Sequence, residues 1–231
     1  MEELVEKYTS KIENALEIAS DVIKQPDDMR TKLNEFLLSV MRGKSSKEMR
    51  IFFNELVDEN TSYLQIGGLS YGHTIISALY QNDAKHAVGV DHYGGPMFAD
   101  DVRDKLMQVA YYHSLEVDEK FFLIHKDYFK LDENDKEILR KHKFNLLYYN
   151  GEPRIDYHIK KFTEYYDYLD DVFIYITSNT EKQETLQGSK IGMETCNLKV
   201  LKEWHLEPVG DYKKPGKLSW YNGLYVAILQ K

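Results

Sequence analysis

The residues best placed to do chemistry are a glycine-rich segment and an aspartate that follows it at a set distance. The segment Gly67–Gly72 (GGLSYG) comes directly after a short apolar run. Glycines let the backbone turn tightly and approach a ligand closely, and a helix that follows presents free N–H groups. Asp91 lies 19 positions after Gly72, a spacing that suits a carboxylate accepting hydrogen bonds from ribose hydroxyls. The pair predicts a nucleoside site, and the alternative is an ordinary tight turn with a solvated acid.

Short apolar strands that alternate with helical stretches would position these residues. The strand candidates are residues 62–67, 86–91, 121–125, 144–149 and 172–177. The helical stretches lie near residues 73–81, 98–115, 131–142, 154–169 and 180–195. This alternation implies right-handed crossovers and a parallel sheet. Two further strands, Lys199–Glu207 and Ser219–Leu229, are joined by a connection that permits an antiparallel pair.

The fold class predicted from this pattern is α/β, with a Rossmann-like, mostly parallel sheet of seven strands that ends in an antiparallel pair. An N-terminal helical segment precedes it, with apolar stripes at helical spacing over residues 5–23, 29–40 and 49–57. Because no strand separates these helices, residues 1–60 are interpreted as a helical appendage and residues 61–231 as the Rossmann-like domain. The appendage could serve as a lid or as a homodimer surface.

Composition narrows the function classes. The chain has 231 residues, enough for one α/β domain, and a net charge of −8 that repels phosphate backbones. A small-molecule substrate is therefore expected rather than a nucleic acid. The single cysteine excludes an internal disulfide and fits a reducing cytoplasm. The charged N-terminus does not look like a signal peptide, and no apolar run has the length of a membrane span.

The order of the motifs resembles that of class I S-adenosylmethionine-dependent methyltransferases. The stretch YLQIGGLSYGHTIISALYQNDAKHAVGVDHY is similar to the first two motifs of that family. The stretch FFLIHKDYFKLD resembles the segment in which an acidic residue lies near the adenine, and Asp127 matches that residue. The stretch FNLLYYNGEPRIDYHIKKF is similar to the segment after the fourth strand in small-molecule O-methyltransferases. The resemblance covers roughly residues 61–231.

The resemblance implies S-adenosylmethionine as the cofactor, held at the ends of the strands. The implied cofactor-binding residues are Gln65, Gly67, Gly68, Gly72, His73, Asp91, His92, Asp127 and Asn150. For His73, a surface position beside the helix cap is an equal alternative. His92 could touch either the cofactor or the methyl acceptor.

The chain departs from the family pattern in ways that bear on metal binding. Gln65 stands where the family usually has an acid, and the glycine spacing is one residue longer than usual. Asn150 replaces an aspartate, and Ser178-Asn179 stand where metal-dependent relatives carry acidic residues. Magnesium prefers several carboxylate oxygens, and these side chains are neutral. No metal is therefore expected, unless Glu152 or Asp156 supplies the charge from a shifted position.

Methyl transfer to a hydroxyl group needs a base that removes the proton. The predicted catalytic residues are His92, Glu152 and Asp156, whereas His158 is predicted to be a surface histidine. The leading hypothesis is a methyltransferase acting on a small hydroxylated metabolite such as a sugar. A non-catalytic protein that keeps the fold is the main alternative. An NAD-dependent oxidoreductase is a weaker one, because the G-x-G-x-x-G spacing fails and the chain ends in a hairpin.

Overall fold

The computed structural model describes residues 1–24, 31–33, 45–69, 72–92, 120–209 and 220–231. The helices are α1 (Glu2–Lys24), α2 (Lys47–Leu56), α3 (His73–Leu79), α4 (Glu133–Arg140), α5 (Ile155–Tyr165) and α6 (Gln183–Thr195), with a 3-10 turn at Tyr166–Tyr168. The strands are β1 (Ser62–Ile66), β2 (His86–Asp91), β3 (Phe121–His125), β4 (Phe144–Tyr149), β5 (Leu169–Ser178), β6 (Lys199–Leu206) and β7 (Leu224–Gln230).

The strands form one seven-stranded sheet in the order β3-β2-β1-β4-β5-β7-β6. Strands β1 to β5 pair in parallel, and β7 pairs antiparallel with both β5 and β6. The predicted Rossmann-like α/β fold with a C-terminal antiparallel pair is therefore confirmed. The chain runs outward from β1 to β3 and then returns to β4, so the order reverses between β1 and β4. Ligands bind in open α/β sheets at this kind of switch point, beyond the carboxyl ends of the strands.

The sheet is buried on both faces because alternate residues of each strand enter different hydrophobic clusters. On one face, Tyr63 and Tyr148 pack with apolar residues of α1, α2 and α3. On the other face, Leu64 and Tyr149 pack with residues of α5 and α6. Side chains of a strand alternate between faces, and parallel strands need cover on both. Neighbouring residues at the end of β4 therefore face different layers.

The N-terminal helices cover the first of these faces. Ile12 and Ala19 of α1 and Phe52 and Phe53 of α2 are fully buried in the same cluster as the strand residues. Helix α2 begins after Ser46, whose hydroxyl accepts a hydrogen bond from the backbone N–H of Met49 at 3.2 Å. This hydrogen bond caps the helix that carries most of the predicted stripe at residues 49–57. The division at residue 60 and the homodimer surface remain predictions.

Two of the predicted helical segments, at residues 29–40 and 98–115, fall mostly or wholly outside the described residues. The last strand was predicted to begin at Ser219 but begins at Leu224. Trp220, Tyr221 and Gly223 have positive φ angles of 55°, 38° and 77°, which a turn accepts and a strand does not. Within the described ranges, no helix combines the length and the apolar character needed to cross a bilayer.

Candidate functional site

The loop after β1 turns on two glycines with left-handed backbone. Gly67 and Gly68 have φ angles of +73° and +69°, a region that residues with a side chain rarely adopt. A Cβ added to Gly67 would lie 2.8 Å from Cα of Gly151 in the loop after β4. The Gly67 N–H donates to the carbonyl oxygen of Val90 in β2 at 2.8 Å. The loop is thus held between β2 and β4, at the switch point of the sheet.

Asp91 joins this loop from the end of β2. Its Oδ2 accepts a hydrogen bond from the backbone N–H of Leu69 at 2.8 Å. Its Oδ1 lies 3.3 Å from Nδ1 of His92, and the Asp91 side chain is only 5% exposed. The structure therefore brings Asp91 and the glycine segment together at the carboxyl edge of the sheet. A carboxylate held in this way is fixed in position before a ligand arrives.

Gln65 lies beneath the glycine loop and is fully buried. Its Nε2 donates to the carbonyl oxygen of Gly67 at 3.1 Å and to Oγ1 of Thr74 at 2.9 Å. Its Oε1 accepts from the hydroxyl of Tyr63 at 2.8 Å. The amide at this position therefore ties the loop to β1 and to the first turn of α3. A buried polar group with partners on every side is a support rather than an exposed ligand contact.

His73 follows Gly72, which precedes α3 in a left-handed conformation with φ 63°. The side chain of His73 is buried, with 3% exposure. The alternative of a surface residue beside the helix cap is therefore wrong. Burial and, to a smaller extent, the charge of Arg50 in α2 lower the pKa of His73 to about 4. The imidazole is neutral at physiological pH.

The lowered pKa of His73 predicts that the folded protein loses stability at acidic pH. Because unfolding restores the ordinary pKa of 6.5, the unfolded chain binds the proton first as the pH falls, so stability decreases from about pH 7 towards pH 4. Between pH 7 and pH 5, protonation of His73 in the unfolded chain lowers the free energy of unfolding by about 2 kcal/mol. Urea unfolding at pH 7 and pH 5 should show a smaller difference for His73→Gln than for the wild type. His205→Gln, at a half-exposed position, is the matched control, and equal pH dependence in all three proteins would contradict the expectation.

His92 and Asp127 lie beside Asp91. The His92 side chain is 54% exposed, and its ring is 6.1 Å from that of Tyr128 in an edge-on arrangement. Asp127 accepts a hydrogen bond from the Phe129 N–H at 3.0 Å. This hydrogen bond holds the pKa of the Asp127 carboxyl below its usual value, and the charges of Lys130 and His92 contribute further. His92 follows β2 and Asp127 follows β3, so both lie at the carboxyl ends of the strands, on the side of the candidate site nearer β3. Of the predicted bases, His92 is thus both accessible and adjacent to the carboxylate of Asp91.

A row of neutral polar side chains runs from the glycine loop across β4, β5 and β7. The side chain of Asn150 lies where a Cβ of Gly68 would be. Oδ1 of Asn150 accepts hydrogen bonds from the Ser178 hydroxyl and, at 3.4 Å, from Nδ2 of Asn179. Oδ1 of Asn179 accepts from Nδ2 of Asn222 at 3.0 Å. This amide row offers hydrogen bonds to a neutral polar molecule and no carboxylate oxygen to a metal. In the described residues, no cluster of His, Cys, Asp and Glu could hold a metal ion.

The remaining predicted catalytic residues follow β4. Glu152 is exposed directly after the turn. Asp156 is 51% exposed and accepts two hydrogen bonds from the guanidinium of Arg154, at 3.1 and 3.0 Å. This pairing holds the pKa of Asp156 below its usual value, which makes the carboxylate a weak base. His158 was predicted to be a surface residue, and this is wrong, because it is 1% exposed and lies on the core face of α5.

Comparisons with known proteins agree with the fold. Neither a protein-family model nor a curated protein sequence matches the chain. Among solved structures it is similar to M. jannaschii TYW2 in complex with AdoMet, with a TM-score of 0.51, 15% identity and coverage of 80% of this chain and 75% of that one. It is also similar to a proposed RNA methyltransferase from Pyrococcus horikoshii, with a TM-score of 0.51, 14% identity and coverage of 88% and 99%.

A third similar structure is precorrin 8W decarboxylase from Methanobacterium thermoautotrophicum, with a TM-score of 0.52, 14% identity and coverage of 84% and 94%. At these identities the likeness concerns the fold, and the names of the three proteins differ in the chemistry they describe. The strand order and the antiparallel β7 agree with the resemblance seen in the motifs. The chain has the fold of the class I S-adenosylmethionine-dependent methyltransferases.

Proposed function

We propose that the protein is an S-adenosylmethionine-dependent methyltransferase that acts on a small hydroxylated metabolite, such as a sugar, without a divalent metal. The observation that carries the proposal is the convergence of the glycine loop and Asp91 at the switch point of the sheet. A similar structure was solved with AdoMet, which supports the same cofactor here.

The residues at this edge fit the cofactor. Without side chains at Gly67 and Gly68, the glycine loop packs directly against Gly151 and Asn150 of the loop after β4, and its left-handed backbone turns tightly at the switch point. The buried carboxylate of Asp91 can accept hydrogen bonds from ribose hydroxyls. Its charge, together with those of Asp127 and Glu152, favours a cationic sulfonium compound. When bound, the cofactor would supply an activated methyl group.

The protein's own part in the reaction is to orient the acceptor, exclude water and remove a proton. Orientation alone contributes much of the rate in such transfers. The amide row of Asn150, Asn179 and Asn222 supplies donors and acceptors for the hydroxyl groups of a neutral acceptor. His92 is the base we favour: its Nδ1 lies toward Asp91, which leaves Nε2 to accept the proton of the reacting hydroxyl. Glu152 is the second candidate.

Calorimetric titration with S-adenosylhomocysteine tests cofactor binding. We expect one site per chain with saturable binding. No heat of binding at millimolar ligand would contradict the proposal.

A labelling experiment tests the substrate class. The protein is incubated with S-adenosylmethionine labelled in the methyl group and a cell extract that is then separated into small molecules, RNA and protein. We expect label in the small molecules, since the net charge of −8 disfavours a polyanion. Label in RNA or protein would contradict the substrate class while leaving the transferase activity intact.

A non-catalytic protein that binds the cofactor is the second candidate. It is favoured by Asn150, which is bonded to Ser178 and Asn179 and carries no charge at a position where relatives have an aspartate. Binding of S-adenosylhomocysteine without transfer of label to any fraction would support this candidate over the enzyme.

A further inference from the structure

A buried polar cluster lies on the sheet face covered by α5 and α6. This cluster consists of Lys161 and His158 of α5, Ser189 of α6, Tyr175 of β5 and Tyr149 of β4. Nζ of Lys161 lies 2.6 Å from Nδ1 of His158 and 2.8 Å from Oγ of Ser189. It also lies 4.9 and 4.7 Å from the ring centres of Tyr149 and Tyr175. Lys161 is fully buried, which is rare for a lysine.

The polar groups of the cluster can be assigned as donors and acceptors of hydrogen bonds to one another. The Ser189 hydroxyl donates to the Thr185 carbonyl at 2.7 Å, so its oxygen can accept from the Tyr175 hydroxyl at 3.0 Å and from Lys161. Burial and the nearby Lys161 lower the pKa of His158 to about 2, so its imidazole is neutral. In the tautomer that carries its proton on Nε2, Nδ1 accepts a hydrogen bond from Nζ of Lys161. Burial also lowers the pKa of Lys161 well below its usual value. In the part of the chain that the structure describes, no carboxylate is paired with this amine.

The cluster is sealed because α5 and α6 approach at glycines. A Cβ on Gly188 would lie 2.8 Å from Cα of Ile155, and one on Gly192 would lie 3.1 Å from Cα of Ile159. Without side chains at these two positions, the helix backbones come close enough for Ser189 to reach Lys161. A buried amine without a carboxylate partner costs free energy, and a methionine of similar length at this position would remove that cost.

Tyr149 connects the cluster to the candidate cofactor loop. Its ring contacts Lys161 and lies 4.7 Å from the ring of His158. Its hydroxyl reaches the turn after β4, where a Cβ on Gly151 would be 2.5 Å from that oxygen and the Glu152 carbonyl is 3.4 Å away. Gly151 in turn packs against Gly67. A continuous line of contacts therefore runs from the amine of Lys161 to the glycine loop.

We propose that Lys161 is a positioning residue: the buried amine fixes the ring of Tyr149, and Tyr149 fixes the Asn150–Glu152 turn against the glycine loop that binds the cofactor. This inference rests on the proposed function, because it assigns the cofactor to that loop. It predicts that removing the amine weakens binding without lowering stability. A residue that only stabilises the fold would change both in the same direction.

The test compares Lys161→Met with Lys190→Met, which makes the same change at an exposed position next to Ser189. Calorimetry gives the affinity for S-adenosylhomocysteine, and thermal unfolding gives the melting temperature. For Lys161→Met we expect a melting temperature equal to or above that of the wild type and an affinity lower by about 5-fold or more. Lys190→Met should match the wild type in both. Wild-type affinity in Lys161→Met, or a lower melting temperature in parallel with weaker binding, would overturn the proposal.

Hydrogen exchange separates failure of this proposal from failure of the proposed function. The amides of Gly67 and Asn150 donate to the carbonyl oxygens of Val90 and Ile66 at 2.8 and 2.9 Å. Their exchange in ligand-free protein should be faster in Lys161→Met than in the wild type. If the wild type does not bind S-adenosylhomocysteine, the proposed function fails, while faster exchange still supports the coupling and unchanged exchange overturns it.

If Lys161→Met does not yield folded protein, Tyr149→Phe alone tests the line of contacts; if it does, a double-mutant cycle shows whether Lys161 acts through Tyr149. Tyr149→Phe keeps the ring over Lys161 and removes the hydroxyl at the turn, and should itself speed exchange at Gly67 and Asn150. Because Lys161 acts through Tyr149, the double variant should show no greater effect on exchange and affinity than the larger single one. Additive effects, or wild-type exchange in Tyr149→Phe, would overturn the proposal.

Discussion

Replacing Asp91 with alanine is expected to lower the affinity for S-adenosylhomocysteine by about 30-fold or more. The physical reason is that hydrogen bonds to a charged acceptor contribute about 1.5–3 kcal/mol each, and a change of about 2 kcal/mol alters affinity about 30-fold. The variant also removes the acceptor for the Leu69 N–H, which is 2.8 Å from Oδ2 in the wild type. The measurement is calorimetric titration of the wild type and the variant at the same pH and salt concentration.

Two companion variants separate the causes of this loss. Asp91→Asn keeps an oxygen for the Leu69 N–H and removes the charge, so an intermediate loss of about 10-fold is expected. Asp83→Asn removes a carboxylate that is 77% exposed and pairs with Lys120. Asp83 precedes β2 and therefore lies at the amino ends of the strands, away from the candidate site. The affinity of Asp83→Asn should equal that of the wild type. Equal affinity in Asp91→Ala and the wild type would show that the ligand does not contact this carboxylate.

Replacing Gly67 with alanine is expected to abolish detectable cofactor binding and to lower the free energy of unfolding by about 3 kcal/mol or more. Two effects add at this position. The φ angle of +73° is strained for any residue with a Cβ, and the new methyl group would lie 2.8 Å from the backbone Cα of Gly151. Since neither chain segment can rotate away as a side chain would, the loops after β1 and β4 must separate. Urea unfolding followed by circular dichroism measures the loss of stability.

Gly68→Ala is the matched control for this effect. Gly68 has nearly the same φ angle, +69°, but a Cβ there would meet the side chain of Asn150 rather than backbone. The two nearest atoms, Nδ2 and Cγ of Asn150, can turn aside at a lower cost than backbone, and only its Cβ, at 2.8 Å, must shift with the chain. The loss of stability should therefore be smaller than for Gly67→Ala. If the two variants lose the same free energy, contact between the β1 and β4 loops is not what makes Gly67 necessary.

The fold could be predicted from the sequence because its signals are local. Strands β2, β3 and β4 were predicted with the bounds that the structure gives them, since each is a short apolar run flanked by polar or turn-forming residues. The approach of Asp91 to the glycine segment also follows from topology, because parallel strands place their carboxyl ends at one edge. The start of β7 was missed because consecutive positive φ angles at Trp220 and Tyr221 are not encoded by glycine or asparagine.

The candidate site was less predictable because side-chain partners depend on packing between distant segments. Gln65 was assigned to the cofactor by its position in a motif, but its hydrogen bonds to Tyr63, Gly67 and Thr74 place it under the loop. The charged sequence neighbours of His158 predict a surface residue, but its side chain is buried. One signal did indicate otherwise.

That signal is the spacing of the buried residues of α5. The four residues that face the core follow a helical repeat of three and four, and they are His158, Lys161, Phe162 and Tyr165. A lysine on that stripe must be buried if the helix packs with its apolar face inward. The sequence does not indicate that Ser189 and the two glycines of α6 pack against α5, because that contact depends on how the two helices lie on the sheet.

The central claim is that the cofactor lies between the glycine loop and Asp91. A crystal structure of the protein with S-adenosylhomocysteine tests it most directly. We expect the ribose hydroxyls within hydrogen-bonding distance of the Asp91 carboxylate and the rest of the ligand over Gly67 and Gly68. A ligand bound at the opposite edge of the sheet, for example in the cavity of about 160 Å³ lined by Tyr8, Lys11 and Asn145, would contradict the claim.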